Sequence, residues 1–363
     1  MHYVAGDVLT PDGFIGGYVG FEDGRVEEVE RGEPPHCLAR GVVIPTTINC
    51  HTHCADYIVP VDLSLRLEEI VAPPSGLKHR MLNKAEPHRI VEALEYLSGY
   101  MASRGTSRFI DFREGGAKGA SLLSRVRGGA SPEIMGRPSS LGFDEGELRS
   151  ILSISRGIGV SSVTDWDQDR LRRVADLTHR SSRLFGLHAS ERIREDIDQV
   201  LDLEPDFLVH MNQATDDDLA LCAQEEVPVV VCPRSNLFFQ RLPPLARMLE
   251  AGVEIGLGTD NAMISLPDMI GEMETAGRIL RYQGVQKVDS VLEMGISTGR
   301  KILKVNEIIG IQPGSWCDFM VVRPKGGEVM TDIVLRSGAD DPRLVCIGNN
   351  TWRGPGCACS KEY

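Results

Sequence analysis

Short apolar runs alternate with longer amphipathic stretches through the middle of the chain, from about residue 42 to 305. Apolar runs bounded by Gly, Pro or Asn are typical of buried strands, and amphipathic stretches are typical of helices. The runs are GVVIPTTIN (41–49), SRFIDF (107–112), EIMG (133–136), GIGVSSVT (157–164), RLFGLHA (183–189), DFLVHM (206–211), VPVVVCP (227–233) and VEIGLGTD (253–260). Eight strands with intervening helices predict a (β/α)8 TIM barrel, because a doubly wound sheet rarely needs eight such units.

The two ends of the chain follow a different pattern, in which polar and apolar residues alternate between frequent turn residues. GYVGFEDGRVEEVERG contains Asp23-Gly24, a hairpin signal, and GSWCDFMVVRP and RLVCIGNNTWRG near the other end also predict strands. We therefore expect an α/β protein of two domains. Residues 1–41 and 306–363 form a small composite β-sandwich, and residues 42–305 form the catalytic barrel.

Charge and cysteine content narrow the possible partners and the compartment. The net charge of -13 argues against a nucleic-acid partner, because binding to phosphates requires Lys and Arg. No run approaches 18 apolar residues, so we expect no membrane span. Because the first residues contain neither a basic region nor an apolar h-region, we also expect no secretory signal. Nine cysteines in 363 residues do not resemble a disulfide framework, which favours a cytoplasmic protein. A small molecule is the expected partner, and a homo-oligomer is compatible with the sequence.

Several ionisable side chains fall at the C-terminal ends of the predicted strands. His51 and His53 end the first strand, His188 the fifth, His210 the sixth and Asp260 the eighth. In a barrel these strand ends converge on the face that carries the chemistry. Four of the nine histidines occupy such positions, a clustering that predicts a site.

The spacing of these residues predicts a metal site. Residues i and i+2 of a strand point the same way, so His51 and His53 can bind one ion, while the cysteines that flank them point to the opposite side. A third imidazole from His188 and the carboxylate of Asp260 complete an open, nitrogen-rich site of the catalytic kind. A metal ion with such ligands lowers the pKa of its bound water towards ~7 and so supplies hydroxide.

Other residues are candidates for proton transfer and substrate binding. Asp260 can accept the water proton as well as bind the metal, and Glu191, three residues after His188, can carry a proton to a leaving group. The alternative for Glu191 is a cap of the following helix. His210 alone is equally compatible with a structural histidine. Four residues just after strand ends are candidate substrate contacts: Arg113, Glu114, Arg234 and Asn236.

The motifs HTH, HASE, VHM, CPRSN (232–236) and GLGTDNAM (256–263) resemble the amidohydrolase superfamily, specifically its cytosine deaminase and chlorohydrolase-like branch. The resemblance implies the same metal ligands. It also implies that His210 contacts the polarised water or the substrate and that Glu191 transfers protons. Dinuclear members carry a bridging lysine at the end of the fourth strand. The corresponding segment here, GIGVSSVTDWD, has none, so we expect one divalent metal ion per chain. Zinc is the default ion, and iron or manganese also suits these ligands.

The expected function is metal-dependent hydrolysis of a C–N bond, with hydrolytic deamination of a small nitrogen heterocycle or nucleoside-type base as the leading hypothesis. One alternative is hydrolysis of a cyclic amide, similar to the ring opening by imidazolonepropionase, which releases no ammonia. A more remote alternative is a non-catalytic binding protein on the same barrel. The presence of all six site residues argues against it.

Overall fold

The computed structural model describes residues 1–61, 64, 65, 67–71, 76–286, 288–305, 309–336 and 342–354. The chain packs as two compact units. The first contains Met1–Ile48, Gly99–Ser107 and Asp268–Tyr363, and the second contains Asn49–Ser98 and Arg108–Pro267. None of the helices in the described ranges has the length and apolarity needed to cross a bilayer.

Two sheets organise the chain. The strands are His2–Thr10 (β1), Gly13–Glu22 (β2), Arg25–Arg31 (β3), Ala39–Pro45 (β4), Thr47–His53 (β5), Thr106–Arg113 (β6), Ser131–Gly136 (β7), Gly157–Val160 (β8), Leu184–Ala189 (β9), Phe207–His210 (β10), Val229–Val231 (β11), Ile255–Leu257 (β12), Asp260–Asn261 (β13), Asp318–Val322 (β14), Leu344–Ile347 (β15) and Asn350–Arg353 (β16). The first four and last three strands form one sheet, and β5 to β13 form the other.

Helices follow most strands of the second sheet. Their bounds are Leu67–Val71 (α1), Leu77–Lys84 (α2), Pro87–Ser103 (α3), Gly116–Leu123 (α4), Glu145–Leu152 (α5), Gln168–Arg180 (α6), Ile197–Leu201 (α7), Asp216–Gln224 (α8), Pro233–Phe238 (α9), Leu245–Glu250 (α10), Met269–Tyr282 (α11), Ser290–Ile296 (α12), Thr298–Ile302 (α13) and Val329–Arg336 (α14). Helix α6 shows why such a segment forms a helix. Asp167 caps its start by accepting a hydrogen bond from the Arg170 N–H, and Leu171 and Val174 lie on its buried face.

The nine-stranded sheet is curled, and its two edge strands, β12 and β13, follow one another directly in the chain. Its order is β12-β11-β10-β9-β8-β7-β6-β5-β13, with parallel pairing from β6 to β12 and between β13 and β5. Only two residues separate the edge strands β12 and β13. Across that junction the Gly258 N–H donates to Val231 O at 2.9 Å and the Thr259 N–H donates to His51 O at 3.0 Å.

Strands from both chain ends form a separate seven-stranded sheet in the order β16-β15-β14-β4-β1-β2-β3. The β2–β3 hairpin turns at Asp23 and Gly24, which have positive φ angles of 48° and 74°. Val4, Val19 and Phe319 belong to the buried apolar cluster on this sheet. The predicted α/β class with a separate β-rich part from both ends is confirmed. The limits of the two predicted domains stay a prediction.

The first predicted strand, 41–49, is two strands in the structure. Residues to Pro45 pair with β1 and β14, whereas β5 begins at Thr47 and belongs to the nine-stranded sheet. Between them the Thr46 N–H donates to Asp318 O at 3.0 Å, and the Thr47 N–H donates to Gly105 O at 2.8 Å. The change of partner is decided by contacts distant in sequence, because the hydrogen bonds of Thr46 and Thr47 go to Asp318 and Gly105.

Candidate metal centre

The predicted ligands lie together at one edge of the nine-stranded sheet, where β5 and β9 end and where β13 begins. His51 and His53 point the same way from β5, with ring centroids 4.8 Å apart, and both are buried. The ring of His188, from β9, lies 4.8 Å from that of His51. The register of β13 against β5 sets Asp260 opposite the residue between the two histidines.

The distances between these side chains suit a single ion. His51 Nε2 lies 3.2 Å from His188 Nε2, and Asp260 Oδ1 lies 3.6 Å from His51 Nε2 and 3.7 Å from His53 Nε2. Two nitrogen ligands at about 2.1 Å from a tetrahedral ion are themselves about 3.4 Å apart. We call His51, His53, His188 and Asp260 the metal-ligand cluster.

Backbone carbonyls fix the orientation of two of the imidazoles. A carbonyl oxygen can only accept, so Nδ1 of His188 donates to Val160 O at 2.9 Å, and Nδ1 of His53 donates to Phe112 O at 3.1 Å. The proton on Nδ1 leaves the Nε2 lone pair of each ring free towards the cluster. This outer arrangement is the one that orients metal-binding histidines in proteins.

Burial also gives the cluster the protonation state that a metal requires. Burial, aided by the neighbouring imidazole of His53, lowers the pKa of His51 to about 3. Burial, aided by the neighbouring imidazole of His51, holds the pKa of His188 well below its usual value. Burial alone raises the pKa of Asp260, but the hydrogen bond from His51 and the neighbouring imidazoles outweigh it and bring that pKa well below its usual range. Neutral imidazoles and one carboxylate form the donor set of a divalent transition-metal ion, so the residues fit one.

Glu191 and His210 lie beside the cluster. Glu191 Oε1 is 3.9 Å from His210 Nε2, and 22% of the Glu191 side chain is exposed. Asn236 Oδ1 accepts the Cys232 N–H at 3.3 Å, so its Nδ2 faces His210 Nδ1 at 3.2 Å and donates to it. The ring proton of neutral His210 is therefore on Nε2, the nitrogen that faces Glu191.

The loop that carries Glu191 is held by a second carboxylate. Glu195 accepts the Ser190 N–H at 2.8 Å and the Thr164 N–H at 3.1 Å, and its own N–H donates to Ser190 Oγ at 3.0 Å. These bonds close the loop on both sides of Glu191. Asp196 caps the following helix α7, so the alternative interpretation of Glu191 as that cap is wrong.

Two residues of the site, one of them a member of the metal-ligand cluster, have strained backbone. His210 and Asp260 have φ angles of 81° and 57°, in the left-handed region that non-glycine residues rarely adopt. Such strain is often found at functional sites. The Ser235 hydroxyl donates to Asp260 Oδ2 at 2.5 Å and so fixes that carboxylate. The CPRSN motif pointed to this segment, but not to Ser235.

Glu114, a predicted substrate contact, lies behind the cluster. Its Oε1 is 3.0 Å from His53 Nδ1, 2.7 Å from Lys78 Nζ and 3.3 Å from Arg137 Nη1. Lys78 is 2% exposed and also contacts Asp56 Oδ2 at 3.1 Å. Burial alone raises the pKa of Glu114, but Lys78 and His53 hold it well below its usual range. The sequence carried no signal for Lys78, because a lone lysine on a helix has no characteristic spacing.

The other predicted substrate contacts lie in different surroundings. Asn236 orients His210, as described above. Arg234 Nη2 donates to Leu266 O at 2.8 Å, so its guanidinium braces the loop after β13. Arg113 is 3% exposed and lines a cavity next to the cluster. Their roles towards a substrate stay predictions.

Two neighbouring cavities open at this end of the sheet. A small cavity of about 80 Å³ is lined by His53, His188, His210, Asp260 and Glu191, among others. A large cavity of about 410 Å³ lies between the loops that follow β6 and β7 and the helices α2 and α3. Arg137 lines both of them.

Three imidazoles and a carboxylate at the strand ends of a curled parallel sheet form a site suited to a catalytic metal ion. The chain belongs to the amidohydrolase family, whose model matches residues 42–348, as the sequence motifs predicted. It is therefore an enzyme that hydrolyses C–N bonds.

Relatives span most of the chain. An uncharacterized protein of Methanocaldococcus jannaschii is 30% identical over 92% of this chain and 89% of its own length. A putative aminohydrolase of Archaeoglobus fulgidus is 34% identical over 77% of this chain and 80% of its own length. A 5-methylthioadenosine/S-adenosylhomocysteine deaminase of Pelotomaculum thermopropionicum is 22% identical over 77% of this chain and 72% of its own length.

Solved structures share the fold. An adenosine deaminase from Xanthomonas campestris with bound zinc matches with a TM-score of 0.76 and 18% identity, over 96% of this chain and 92% of that one. The guanine deaminase of E. coli matches with a TM-score of 0.72 and 15% identity, over 98% of this chain and 100% of that one. These amidohydrolase neighbours imply that the nine-stranded sheet is a TIM-like barrel.

Proposed function

We propose that the protein catalyses the hydrolytic deamination of a small nitrogen heterocycle or nucleoside-type base. One divalent ion per chain, zinc as the first choice, is held by His51, His53, His188 and Asp260. The observation that carries this proposal is the convergence of three imidazoles and a carboxylate next to the partly exposed Glu191. All of them except His51 line the small cavity.

The reaction consumes one water molecule. Its oxygen adds to the amidine carbon, the exocyclic C–N bond breaks, and ammonia leaves while a ring carbonyl forms. When bound, the divalent ion lowers the pKa of a water molecule to about 7. One proton has to leave that water and another has to reach the departing nitrogen. Among the carboxylates that line the small cavity, Asp260 belongs to the metal-ligand cluster and Glu191 lies beside His210, so we assign these transfers to these two.

In this proposal His210 donates a hydrogen bond and does not transfer a proton. Its Nε2–H faces the small cavity, because Asn236 donates to the opposite ring nitrogen. Such a donor stabilises negative charge that develops on an oxygen during the addition of water. Asn236 acts through His210 as a positioning residue, which is a different role from the substrate contact predicted from the sequence.

The names of relatives support deamination over ring opening. Distant relatives are 5-methylthioadenosine/S-adenosylhomocysteine deaminases, and structural neighbours include adenosine and guanine deaminases. An adenine- or guanine-type ring is therefore the first substrate class to test.

A screen for ammonia release tests the proposal. Zinc-loaded protein is incubated with purines and their nucleosides, pyrimidines, pterins and triazines, and ammonia and product mass are measured together. Release of ammonia with replacement of an amino group by oxygen supports deamination. Addition of water to a ring without ammonia indicates the cyclic-amide alternative and contradicts the proposal.

A further inference from the structure

The three imidazoles of the metal-ligand cluster differ in what faces their Nδ1 atoms. Nδ1 of His188 donates to a backbone carbonyl at 2.9 Å. Nδ1 of His51 has no hydrogen-bond partner within the described part of the chain. Nδ1 of His53 lies 3.1 Å from a backbone carbonyl and also 3.0 Å from Oε1 of Glu114. Among the described residues, His53 is thus set apart by the carboxylate behind its ring.

A carboxylate in this position changes the ligand that it contacts. The Nδ1 proton of His53 is shared between the carbonyl and the carboxylate, a three-centre arrangement. Hydrogen bonds to an ionised acceptor are roughly twice as strong as those between neutral groups. A carboxylate that accepts from one ring nitrogen also fixes the ring and makes the other nitrogen a stronger metal ligand.

The carboxylate of Glu114 is itself held in one orientation. Its Oε1 lies 2.7 Å from Lys78 Nζ, 3.0 Å from His53 Nδ1 and 3.3 Å from Arg137 Nη1, so three donors converge on one oxygen. The other oxygen, Oε2, is inaccessible to solvent and therefore cannot contact a substrate in the cavity. These contacts suit a support for His53 better than the substrate contact predicted from the sequence.

Lys78 ties this carboxylate to the strand that carries His53. Its Nζ also lies 3.1 Å from Oδ2 of Asp56. Asp56 belongs to the short 3-10 helix Cys54–Ile58, which follows directly after β5, whereas Glu114 follows directly after β6. Because β5 and β6 are neighbours in the sheet, one ammonium group links the ends of two adjacent strands.

The burial of these charges argues for a positioning role. Asp56, Lys78 and Glu114 are 0%, 2% and 6% exposed. The attraction between buried charges rarely exceeds the cost of removing them from water, and apolar side chains of similar volume are often at least as stable. Stability alone therefore does not account for a charged cluster here, whereas its contact with a metal ligand does.

We infer that Glu114 is a positioning residue of the metal centre and that Lys78 is its anchor. Glu114 acts through His53, by holding the ring and strengthening it as a ligand. The inference rests on the metal ion of the proposed function, but it gives neither residue a part in the transfer of protons to the substrate. Metal binding therefore tests it independently of turnover.

The affinity for zinc is the first measurement, made by titration with a competing chelator. We expect Glu114→Gln, which preserves the shape of the side chain, to weaken zinc binding by about 10–100-fold, the usual effect of removing such a support. Asp56→Asn is the matched control, because Asp56 is a buried carboxylate that contacts the same lysine. It should bind zinc within a factor of a few of the parent. Unchanged affinity in Glu114→Gln would overturn the inference.

Two double variants exclude a general effect of charge. Lys78→Met/Glu114→Gln and Lys78→Met/Asp56→Asn each remove one positive and one negative charge, and the first of them also replaces Glu114→Gln if that single variant fails to fold. Only the first removes the carboxylate on His53. We expect it to bind zinc at least tenfold more weakly than the second. Equal affinity of the two would overturn the role of Glu114.

The visible absorption spectrum of cobalt-loaded protein tests the anchor, because its bands report the arrangement of ligands around the ion. We expect Lys78→Met/Asp56→Asn to shift these bands relative to Asp56→Asn, since Glu114 loses the ammonium that holds it. Lys84→Met changes an exposed lysine at the end of the same helix and should leave the bands unchanged. Unshifted bands in the double variant would overturn the role of Lys78.

These measurements separate the inference from the deaminase function. Ammonia release together with unchanged zinc affinity in Glu114→Gln contradicts the inference and leaves deamination intact. Zinc binding that depends on Glu114, without ammonia release from any substrate, supports the inference and counts against deamination. Absence of zinc binding by the parent protein contradicts both.

Discussion

Glu191 keeps 22% of its side chain exposed, 3.9 Å from His210 Nε2, and its loop is tied down by Glu195. Glu191→Gln preserves the shape of the side chain and removes the titrating oxygen. We expect kcat to fall by about 10²–10⁴, or roughly 3–5 kcal/mol of barrier, because that is the usual contribution of a positioned general acid–base. Steady-state ammonia release on the substrate found in the screen measures it.

The same variant should keep its fold and its metal content, since Glu191 is not a member of the metal-ligand cluster. Glu225→Gln, an exposed carboxylate at the end of α8, is the control and should leave kcat unchanged. If Glu191→Gln retains kcat within a factor of a few, another group moves the proton.

The residues proposed to bind the metal could be located from the sequence, and those that orient them could not. His51, His53, His188 and Asp260 follow apolar strands, so their position along the sequence already indicated one face. The supporting residues Lys78, Ser235 and Glu195 act through contacts set by packing. For example, Lys78 reaches Glu114 from helix α2, and no spacing in the sequence relates the two.

Gly258, between β12 and β13, lies where the backbone passes close to His51 of strand β5. A Cβ at this position would lie 2.8 Å from His51 Cβ and 2.9 Å from His51 N. Only a residue without a side chain lets the chain pass β5 and bring Asp260 beside the histidines. We expect Gly258→Ala to destabilise the protein by about 1–3 kcal/mol, as overpacking does, and to weaken metal binding.

Urea denaturation and a competitive chelator titration measure these two effects. Gly99→Ala, in the interior of α3, is the matched control, because a Cβ there meets nothing within 4 Å. It should leave metal binding unchanged and stabilise the helix by up to about 1 kcal/mol. Equal behaviour of the two variants would refute the role given to Gly258.

Strand positions were predicted well because most strands of the nine-stranded sheet contain a short apolar stretch. The last of the eight runs, 253–260, ends in two short strands rather than one, since Gly258 and Thr259 bond to different neighbours, Val231 and His51. The first run divides at Thr46 for a similar reason. Both divisions depend on hydrogen bonds between segments far apart in sequence, which a local pattern does not contain.

The protein as a whole should respond to pH through its buried histidines. Burial lowers the pKa of His51 to about 3 and that of His188 well below 6.5, the value expected in the unfolded chain. The unfolded chain therefore takes up protons first as the pH falls, so the metal-free protein loses stability from pH 6.5 downwards. The slope approaches about 1.4 kcal/mol per pH unit for each histidine.

The urea midpoint of metal-free protein between pH 7 and 5 measures this slope. The lowered pKa of Asp260 and of Glu114 acts in the same direction, but only at lower pH, around and below the usual carboxylate range. His51→Asn should have a shallower slope in that window. A midpoint independent of pH from 7 to 5 would show that these imidazoles are not buried in the neutral form.

Metal content is the most direct test of the account, because every role given to the site depends on one ion held by His51, His53, His188 and Asp260. Elemental analysis of the purified protein should find close to one divalent transition-metal ion per chain. His51→Ala should lose it. Cys50→Ala, a buried neighbour expected to face away from the cluster, should retain it. Two tightly bound ions per chain, or full metal content in His51→Ala, would contradict the account.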